Sequence, residues 1–582
     1  MNYYKKLILT LAVVVFCDTT ANAALSPGAL LPSTVMPERV IDTMSRKPVA
    51  NPSAVAPRLQ QPEAAESSLG SEAAKVTFVL TKVILEDNHI YSDAQLLPLY
   101  KDKLNKSITV VQLQSIVQSI TNYYRNEGYI LTRAILPPQH VTNGVVKIKV
   151  IEGYIYTAKV IGSPKGSKPL VQEYGDHIAA SRPLQLKVME KYLLLANEIP
   201  GIQVKGVLEP SKEVKGASDL NLVTQAKTFS GYMSFDNYGT LYIGPNQFSA
   251  GGEWDSIFRP GDSTQINLSQ ASRPQQMKFG QIMHNTPLGS NGSRFIVSAN
   301  NAKTRPGLAL APLFVDGTAN TMYGMIQYPL IRSRVQNLTL DGSFNYIDSK
   351  TVFTQFSTIL YVDHLRTIRL GGSFDRADPW KGANNAALHV ETGIPVLGYT
   401  TESQGNAVIV KTSRQGASNH FVKMDMQLSR LQQFGATRFS LFTQLRGQFT
   451  NEPLLSAIQF SYGGAQQGLG RGYDPAEIIG DKGAAASVEA RMNVTPGKFF
   501  LQAIQFYVFY DAGVIFNNKD VQGTNTKSSA TSTGAGARLL FTKNFTGNLL
   551  WAQPLTRIVD ALQAAHKNDR MPRLYFSISA SV

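Results

Sequence analysis

The sequence predicts two small α+β modules in tandem, followed by a transmembrane antiparallel β-barrel of about 16 strands. Three observations carry this prediction. Over residues 228–582 helical periodicity almost vanishes, and segments of about ten residues alternate in hydrophobicity between turns containing Gly, Pro, Asn or Asp. Upstream of that stretch the order strand, helix, strand, strand occurs twice. The composition agrees, because 46 Gly, with 27 Phe and 24 Tyr against 3 Trp, favours turns and strands with aromatic rims over helical bundles.

The chain opens on an export signal. Lys5 and Lys6 form a short positive region, residues 7–16 an apolar run, and Ala21-Asn22-Ala23 a small-x-small cleavage site, so residues 1–23 read as a signal peptide cut after Ala23. The sole cysteine, Cys17, lies in that segment behind the bulky Phe16, which argues against lipid attachment. A single cysteine also excludes an intramolecular disulfide and a cysteine-based metal site. Beyond residue 23 no apolar run reaches the ~18 residues of a spanning helix, whereas a barrel gives no such signal because its strands alternate. An exported, strand-rich chain with no further cysteine suits the outer membrane of a diderm bacterium.

Residues 24–75 form a Pro/Ala-rich linker, with seven prolines from Pro27 to Pro62 spaced too closely for a long helix or strand. Its one candidate helix is 37–46, where Pro37 takes a first-turn position and Val40, Ile41 and Met44 share one side. A first module follows at 76–153: a strand over 76–85, a short helix from Ser92 to near Lys103, and a longer helix capped by Thr109 and stopped by Gly128. Strands at 129–136 and 145–151 close it, separated by Pro137-Pro138 and the Asn143-Gly144 turn. A shorter copy at 154–226 has a strand at 155–161, one helix at 186–195, and strands at 202–209 and 219–224. The barrel occupies 227–582, and roughly 355 residues at about 22 per strand and loop give ~16 strands, an even number as single-chain outer-membrane barrels require. No fixed repeat of an adhesin or propeller is visible.

The motifs resemble one family. Tyr123-Tyr124-Arg125-Asn126-Glu127-Gly128-Tyr129, then Pro137-Pro138-Gln139 and Glu152-Gly153, resemble the first polypeptide-transport-associated (POTRA) domain of the two-partner secretion transporters, the TpsB family that exports haemolysins, filamentous haemagglutinins and contact-dependent toxins. Phe235-Asp236-Asn237-Tyr238-Gly239 resembles the end of that family's first barrel strand. Residues 451–484 resemble its long sixth surface loop, whose tip normally reads Val-Arg-Gly-Tyr or Phe. Here the tip is Gly470-Arg471-Gly472-Tyr473, with Gly470 in place of the Val. Phe509-x-Asp511-x-Gly513 matches the family's thirteenth-strand motif. The chain departs from the pattern at its end, finishing with Val582 where outer-membrane barrels often finish with an aromatic residue.

The resemblance implies type V secretion: an outer-membrane transporter moving a large unfolded exoprotein partner from periplasm to cell surface without ATP. The other readings left open are an outer-membrane protein assembly insertase of the same superfamily and a passive solute porin. The expected partners are the exoprotein client, outer-membrane lipid and lipopolysaccharide, and barrel-assembly machinery with periplasmic chaperones during biogenesis. The formal net charge of +15 is assigned to those membrane surroundings and to no nucleic acid. No enzyme activity, cofactor or metal is expected, since neither His-Glu-x-x-His nor Gly-x-Ser-x-Gly occurs and the eight histidines are scattered. An exporter needs a capture surface, a closed wall and a removable obstruction. POTRA sheet edges suit the first, because an extended client can add to them as a strand. A long loop entering the pore needs an anchor, and the Arg471 guanidinium with the Asp511 carboxylate can supply a two-pronged bond. Gly470 and Gly472 would let the backbone turn tightly beside the wall.

Overall fold

The computed structural model describes residues 31–45, 76–162, 164, 166–400, 411–414, 416–435, 437–497, 500–518, 526–564 and 570–582. The expected signal peptide and most of the expected linker lie outside the described residues. The first helix, α1 (Pro37–Ser45), stands inside the barrel, where Val40, Ile41 and Met44 join a buried cluster with Tyr242, Met277, Val315 and Leu360.

Module one contains β1 (Thr77–Leu80), β2 (Lys82–Glu86), α2 (Asp93–Leu96), β3 (Lys106–Thr109), α3 (Val110–Asn126), β4 (Arg133–Ile135) and β5 (Val145–Ile151). The sequence reading has a single strand over 76–85. The structure breaks it at Thr81, because the N–H groups of Thr81 and Lys82 both donate to the Gly144 carbonyl, at 2.8 and 3.3 Å. β1 therefore pairs with β3, while β2 joins the sheet β2-β5-β4. α3 starts on a capping box in which Thr109 Oγ1 accepts from Gln112 N at 3.1 Å and Gln112 Oε1 accepts from Thr109 N at 2.9 Å. Its stripe of Leu113, Ile116, Val117 and Ile120 lies on Val146, Ile148 and Val150 of β5.

Module two contains β6 (Ile155–Gly162), α4 (Lys168–Ala179), α5 (Leu186–Asn197), β7 (Ile202–Pro210) and β8 (Ser218–Ala226), with sheet order β6-β8-β7. α4 is absent from the sequence reading, which places one helix in this module, at 186–195. Pro169 sits in the first turn, where no intrahelical N–H is needed. Gly175 faces the sheet so closely that a Cβ there would lie 3.0 Å from both Ala158 Cβ and Leu222 Cδ1.

The remaining strands are β9 (Phe229–Asp236), β10 (Gln247–Asp255), β11 (Ser263–Ala271), β12 (Met277–Pro287), β13 (Arg294–Thr304), β14 (Val315–Arg332), β15 (Gln336–Phe353), β16 (Thr358–Ala377), β17 (Gly382–Gly393), β18 (Val422–Gln433) and β19 (Phe439–Thr450). They continue as β20 (Phe460–Tyr462), β21 (Ile478–Gly480), β22 (Lys482–Val494), β23 (Ala503–Asn517), β24 (Thr526–Thr542), β25 (Phe545–Pro554) and, after α6 (Asp560–Ala564), β26 (Arg573–Ser581). β20 and β21 form a separate two-stranded ribbon, and the other sixteen close one antiparallel barrel by pairing β26 with β9. Closure satisfies the backbone of every strand without an edge, which lipid requires. The backbone of Val582 enters the seam, since its N–H donates to the Gly231 carbonyl at 2.9 Å and its own carbonyl accepts from Gly231 N at 3.3 Å. An aromatic terminus is thus not needed to complete the ladder.

Alternation sorts the wall. Met233, Phe248, Leu268, Ile282, Leu370, Val508 and Trp551 are exposed on the outside, whereas inward polar side chains link strand to strand. Asn267 Nδ2 donates to Gln281 Oε1 (2.9 Å), Gln281 Nε2 to Asn300 Oδ1 (2.7 Å) and Asn300 Nδ2 to Thr321 Oγ1 (2.8 Å). Module two meets the barrel at one end only. Arg332 pairs with Glu198, Arg334 N donates to Glu190 Oε1 (3.1 Å), and His177 Nε2 lies 2.9 Å from Ser290 Oγ. β14, β15 and β16, at 18 to 20 residues, exceed the ~10 that a membrane strand needs, and their surplus projects from the opposite, distal end.

Replacing the fully buried Ile120 by Ala should cost about 2–5 kcal/mol through the cavity it leaves between α3 and β5. Hydrogen exchange should then rise across 77–151 while the barrel keeps its heat-modifiable gel mobility. Unchanged exchange would show that this helix does not hold the module together.

Candidate functional site

Strand alternation places Ser487, Glu489 and Arg491 of β22 on the lumen face, beside Phe509, Asp511 and Gly513 of β23, with Ser487 opposite Asp511 and Glu489 opposite Phe509. Arg471 descends onto this patch from the long loop and is only 3% exposed. Its Nε and Nη2 donate to Oδ2 and Oδ1 of Asp511, at 3.0 and 2.8 Å, and its own backbone N–H donates to Oδ2 at 3.0 Å. Nη1 donates to Glu489 Oε2 and Nη2 to Ser487 Oγ, the latter at 2.8 Å. The guanidinium carbon lies 3.5 Å from the centroid of the Phe509 ring, a stacked cation–π contact. Glu489 also accepts from Arg491 Nε (2.6 Å) and Arg538 Nη1 (2.7 Å). The cluster thus holds three guanidinium groups over two buried carboxylates.

The glycines around it have distinct jobs. Gly470 has φ +74°, a left-handed turn, and a Cβ there would lie 2.8 Å from the Tyr462 ring. Gly472 does not share that positive φ; instead a Cβ would lie 2.8 Å from Ser532 Cβ and 2.9 Å from Pro554 N, so close approach to the wall excludes a side chain. Gly513 leaves room for Tyr462, whose ring would sit 2.4 Å from an added Cβ. Tyr473 is fully buried, and its hydroxyl donates to the Thr531 carbonyl at 2.9 Å.

Sequence reasoning missed most of what surrounds the pair. Ser487-x-Glu489-x-Arg491 carried a usable signal, polar and charged residues at alternate positions of an otherwise apolar strand. Asp481, fully buried, accepts from Leu454 N (2.9 Å) and Asn518 N (2.6 Å) and pairs with Arg414, which ties both ends of the loop to the wall. Asp474 pairs with Arg573. The loop also carries α1: Arg39 Nη1 donates to the Gln459 carbonyl at 3.1 Å and Nη2 to the Ser456 carbonyl, while the Glu38 carboxylate accepts from Ser456 Oγ and, at 3.3 Å, from Tyr361 OH. Ser33 Oγ donates to the Ala476 carbonyl at 2.6 Å.

A second constellation lies in module one. The buried Tyr124 hydroxyl donates to Glu152 Oε1 at 3.0 Å, which also accepts from Ile90 N at 2.8 Å. Tyr91 packs edge-on against the rings of Tyr123, Tyr124 and Tyr129. Gly128 and Gly153 lend their carbonyls to Leu186 N (2.8 Å) and Leu184 N (3.0 Å), and Tyr129 OH accepts from Gln185 Nε2 (3.2 Å), so these residues join the two modules. The sequence reading runs a strand over 129–136, but only Arg133–Ile135 pairs. The ladder stops before Pro137 and Pro138, which have no N–H to give. Gln139 resumes it with its side chain: Nε2 donates to the Lys147 carbonyl (2.7 Å) and Oε1 accepts from Lys147 N (2.8 Å). Among the described residues no cluster of His, Cys, Asp and Glu is arranged to hold a metal ion.

A family model described as haemolysin secretion/activation protein ShlB/FhaC/HecB matches residues 216–539, and one described as POTRA domain, ShlB-type, matches residues 78–153. The heme/hemopexin transporter protein HuxB of Haemophilus influenzae is 26% identical over 497 residues, spanning 82% of this chain and 84% of that protein. The outer membrane transporter CdiB of Dickeya dadantii is 25% identical over 171 residues, 29% of this chain and 30% of that protein. Among solved structures, CdiB from Escherichia coli has a TM-score of 0.69 at 16% identity, covering 97% of this chain and 100% of that one. BamA from Haemophilus ducreyi lacking POTRA domains 1-3 has a TM-score of 0.52 at 12% identity, covering 87% and 100%. At these identities the structural likeness is one of fold.

Burial, with the Glu152 carboxylate beside it, raises the Tyr124 phenol above its ordinary 10.0. A raised pKa contributes stability that is present below pH 10.0 and is lost as pH rises toward the folded-state value. Calorimetric melting of module one in the full chain should therefore fall as pH rises above about 10, and Tyr124→Phe should remove that part of the pH dependence. Identical profiles for the two proteins would refute the assignment.

Proposed function

The chain belongs to the ShlB/FhaC/HecB haemolysin secretion and activation family, and we propose that its sealed lumen opens to pass one large, unfolded exoprotein from the periplasm to the cell surface. It is an outer-membrane transporter of the two-partner secretion class, with its POTRA region on the periplasmic side. The observation that carries the proposal is the double occupation of the lumen. α1 and loop 451–484 fill it together, and the loop is fixed through Arg471 to β22 and β23. A passive solute porin works with an open lumen, so this filling favours the export reading.

In this reading Arg471 and Asp511 are the loop anchor, Gly470, Gly472 and Tyr473 shape the loop tip, and Phe509 and Gly513 provide its seat. α1 is the removable plug. Client capture falls to the POTRA sheets, whose edge strands are β2 and β4 in the three-stranded sheet of module one and β6 and β7 in module two, while β5 and β8 are central. Edge backbone groups accept an extended chain with little regard to its side chains, as an exporter of an unfolded client needs. The direction of travel comes from folding outside the cell, where the client buries its apolar surface, and no nucleotide is consumed. Outer-membrane lipid, barrel-assembly machinery and periplasmic chaperones complete the partner set.

Reversing charge at Arg471 or Asp511 alone sets like charges against each other in a buried site, which costs loop docking at least the about 3–5 kcal/mol of a broken buried pair. Each single variant should impair secretion of the exoprotein while the barrel stays folded, and exchanging the two charges should restore part of the activity. Comparison of the secreted proteomes gives the readout, and normal secretion by both single variants would remove the anchor role. Deleting residues 37–46 should raise single-channel conductance and antibiotic uptake, because a barrel of this strand number otherwise encloses an aqueous channel. Unchanged conductance would make the segment a plain tether.

A further inference from the structure

The outer surface of the barrel carries a feature that transport does not use. At the distal, extracellular ends of β11 to β15, one outward residue per strand stands in a single register row: Gln270 opposite Lys278, Lys278 opposite Lys303, Lys303 opposite Thr318, and Thr318 opposite Lys350. All three lysines are exposed. Like charges directly opposite one another on a sheet are destabilising, yet among the described residues none of the three has a carboxylate within ion-pair distance. The nearby outward acids are engaged elsewhere, Asp316 by Arg305 at 2.5 Å and Asp348 by His364 at 2.8 Å and by Arg366. Such a row attracts an external anion.

Directly below it the same outer wall is concave. A groove of about 770 Å³ runs across the β26–β9 seam, walled by Met233, Phe248, Leu268 and Ile578, floored at Gly280, and closed at its distal end by Lys278. Its walls are side chains that alternation turns toward lipid, and Gly280 leaves a hollow there because a Cβ would still clear Leu268 Cδ2 by 3.6 Å. An apolar trough ending in lysines matches an amphiphile with an acyl chain and a phosphorylated head. The distal position puts that head in the outer leaflet, where the anionic lipid of a diderm outer membrane is a phosphorylated glucosamine-based glycolipid.

We propose that Lys278, Lys303 and Lys350, with the groove beneath them, form a specific seat for the phosphates and one acyl chain of that outer-leaflet glycolipid. Ammonium groups spaced by one and two strand separations, ~5 and ~10 Å, can serve two phosphates at once. The seated lipid bridges the seam between β26 and β9, whose ladder runs from Ser577↔Asp236 to Ser581↔Tyr232. The proposal rests on the outer-membrane location and not on the secretion mechanism, so its test reads lipid binding alone.

The test uses full-length protein in detergent and native mass spectrometry. The probes are bisphosphorylated hexa-acyl lipid A, its dephosphorylated form, phosphatidylglycerol and inorganic phosphate. The wild-type protein should bind the bisphosphorylated lipid at least about tenfold more tightly than the dephosphorylated form or phosphatidylglycerol, a difference that charge-assisted phosphate contacts supply. Changing Lys278, Lys303 and Lys350 together to Gln should abolish that preference. Gly280→Leu, which fills the trough, should weaken binding of both lipid A forms. Lys527→Gln, at an outward lysine of the distal end of β24 that lies outside this row and over the Phe516 ring, should change nothing. Heat-modifiable mobility checks folding, and Lys278→Gln alone substitutes if the triple variant does not assemble. Equal binding by the lysine variants and the wild-type protein, equal binding of phosphatidylglycerol, or full competition by inorganic phosphate would each overturn the proposal.

Discussion

A guanidinium removed from water must find every one of its partners in the protein, and in this molecule Arg471 imposes that requirement on everything near it. The two oxygens of Asp511, the Glu489 carboxylate and the Ser487 hydroxyl consume its donors, and the Phe509 face covers its plane. These partners come from two adjacent strands and are properly placed only when the barrel is closed and in register. The loop is therefore held by the finished wall. A loop position such as Arg471 becomes a buried one because the wall offers a counter-charge that water would otherwise provide.

The same logic extends to α1. Arg39 and Glu38 are buried within the barrel, bonded to loop carbonyls and to the Ser456 and Tyr361 hydroxyls. Their partners belong largely to the loop, so plug and loop form one body within the pore. Removing the helix leaves Ser456 and Tyr361 facing an emptied lumen, and moving the loop takes the Gln459 and Ser456 carbonyls away from Arg39. Such mutual dependence suits a gate that is tight at rest and opens when plug and loop part from each other. Apolar contacts of Val40, Ile41 and Met44 complete the seal without fixing direction.

Much of this was legible in the sequence. Strand number followed from chain length and alternation, and the pairing of Arg471 with Asp511 followed from two motifs that make sense only together. What was not legible depended on contacts across long separations. Glu489 belongs to the cluster because β22 lies beside β23 at one register, which no local pattern states. Gln139 looks like a loop residue, yet its side chain stands in for backbone that Pro137 and Pro138 cannot supply. α4 was not assigned from the sequence; in it Pro169 fits a first helical turn and Gly175 allows a close helix–sheet approach. Gly472 looked like a turn residue, and its actual constraint is the wall beside it.

The claim on which the account turns is that plug and loop must leave their resting contact for the exoprotein to pass. Because Cys17 is the only native cysteine, paired Cys substitutions at Ser33 and Ala476, which are in hydrogen-bond contact at 2.6 Å, can be joined by a short bis-methanethiosulfonate cross-linker that reduction cleaves. With the tether closed, secretion of the exoprotein should stop, and reduction should restore it in the same cells. Normal secretion through a fully tethered protein would contradict the account.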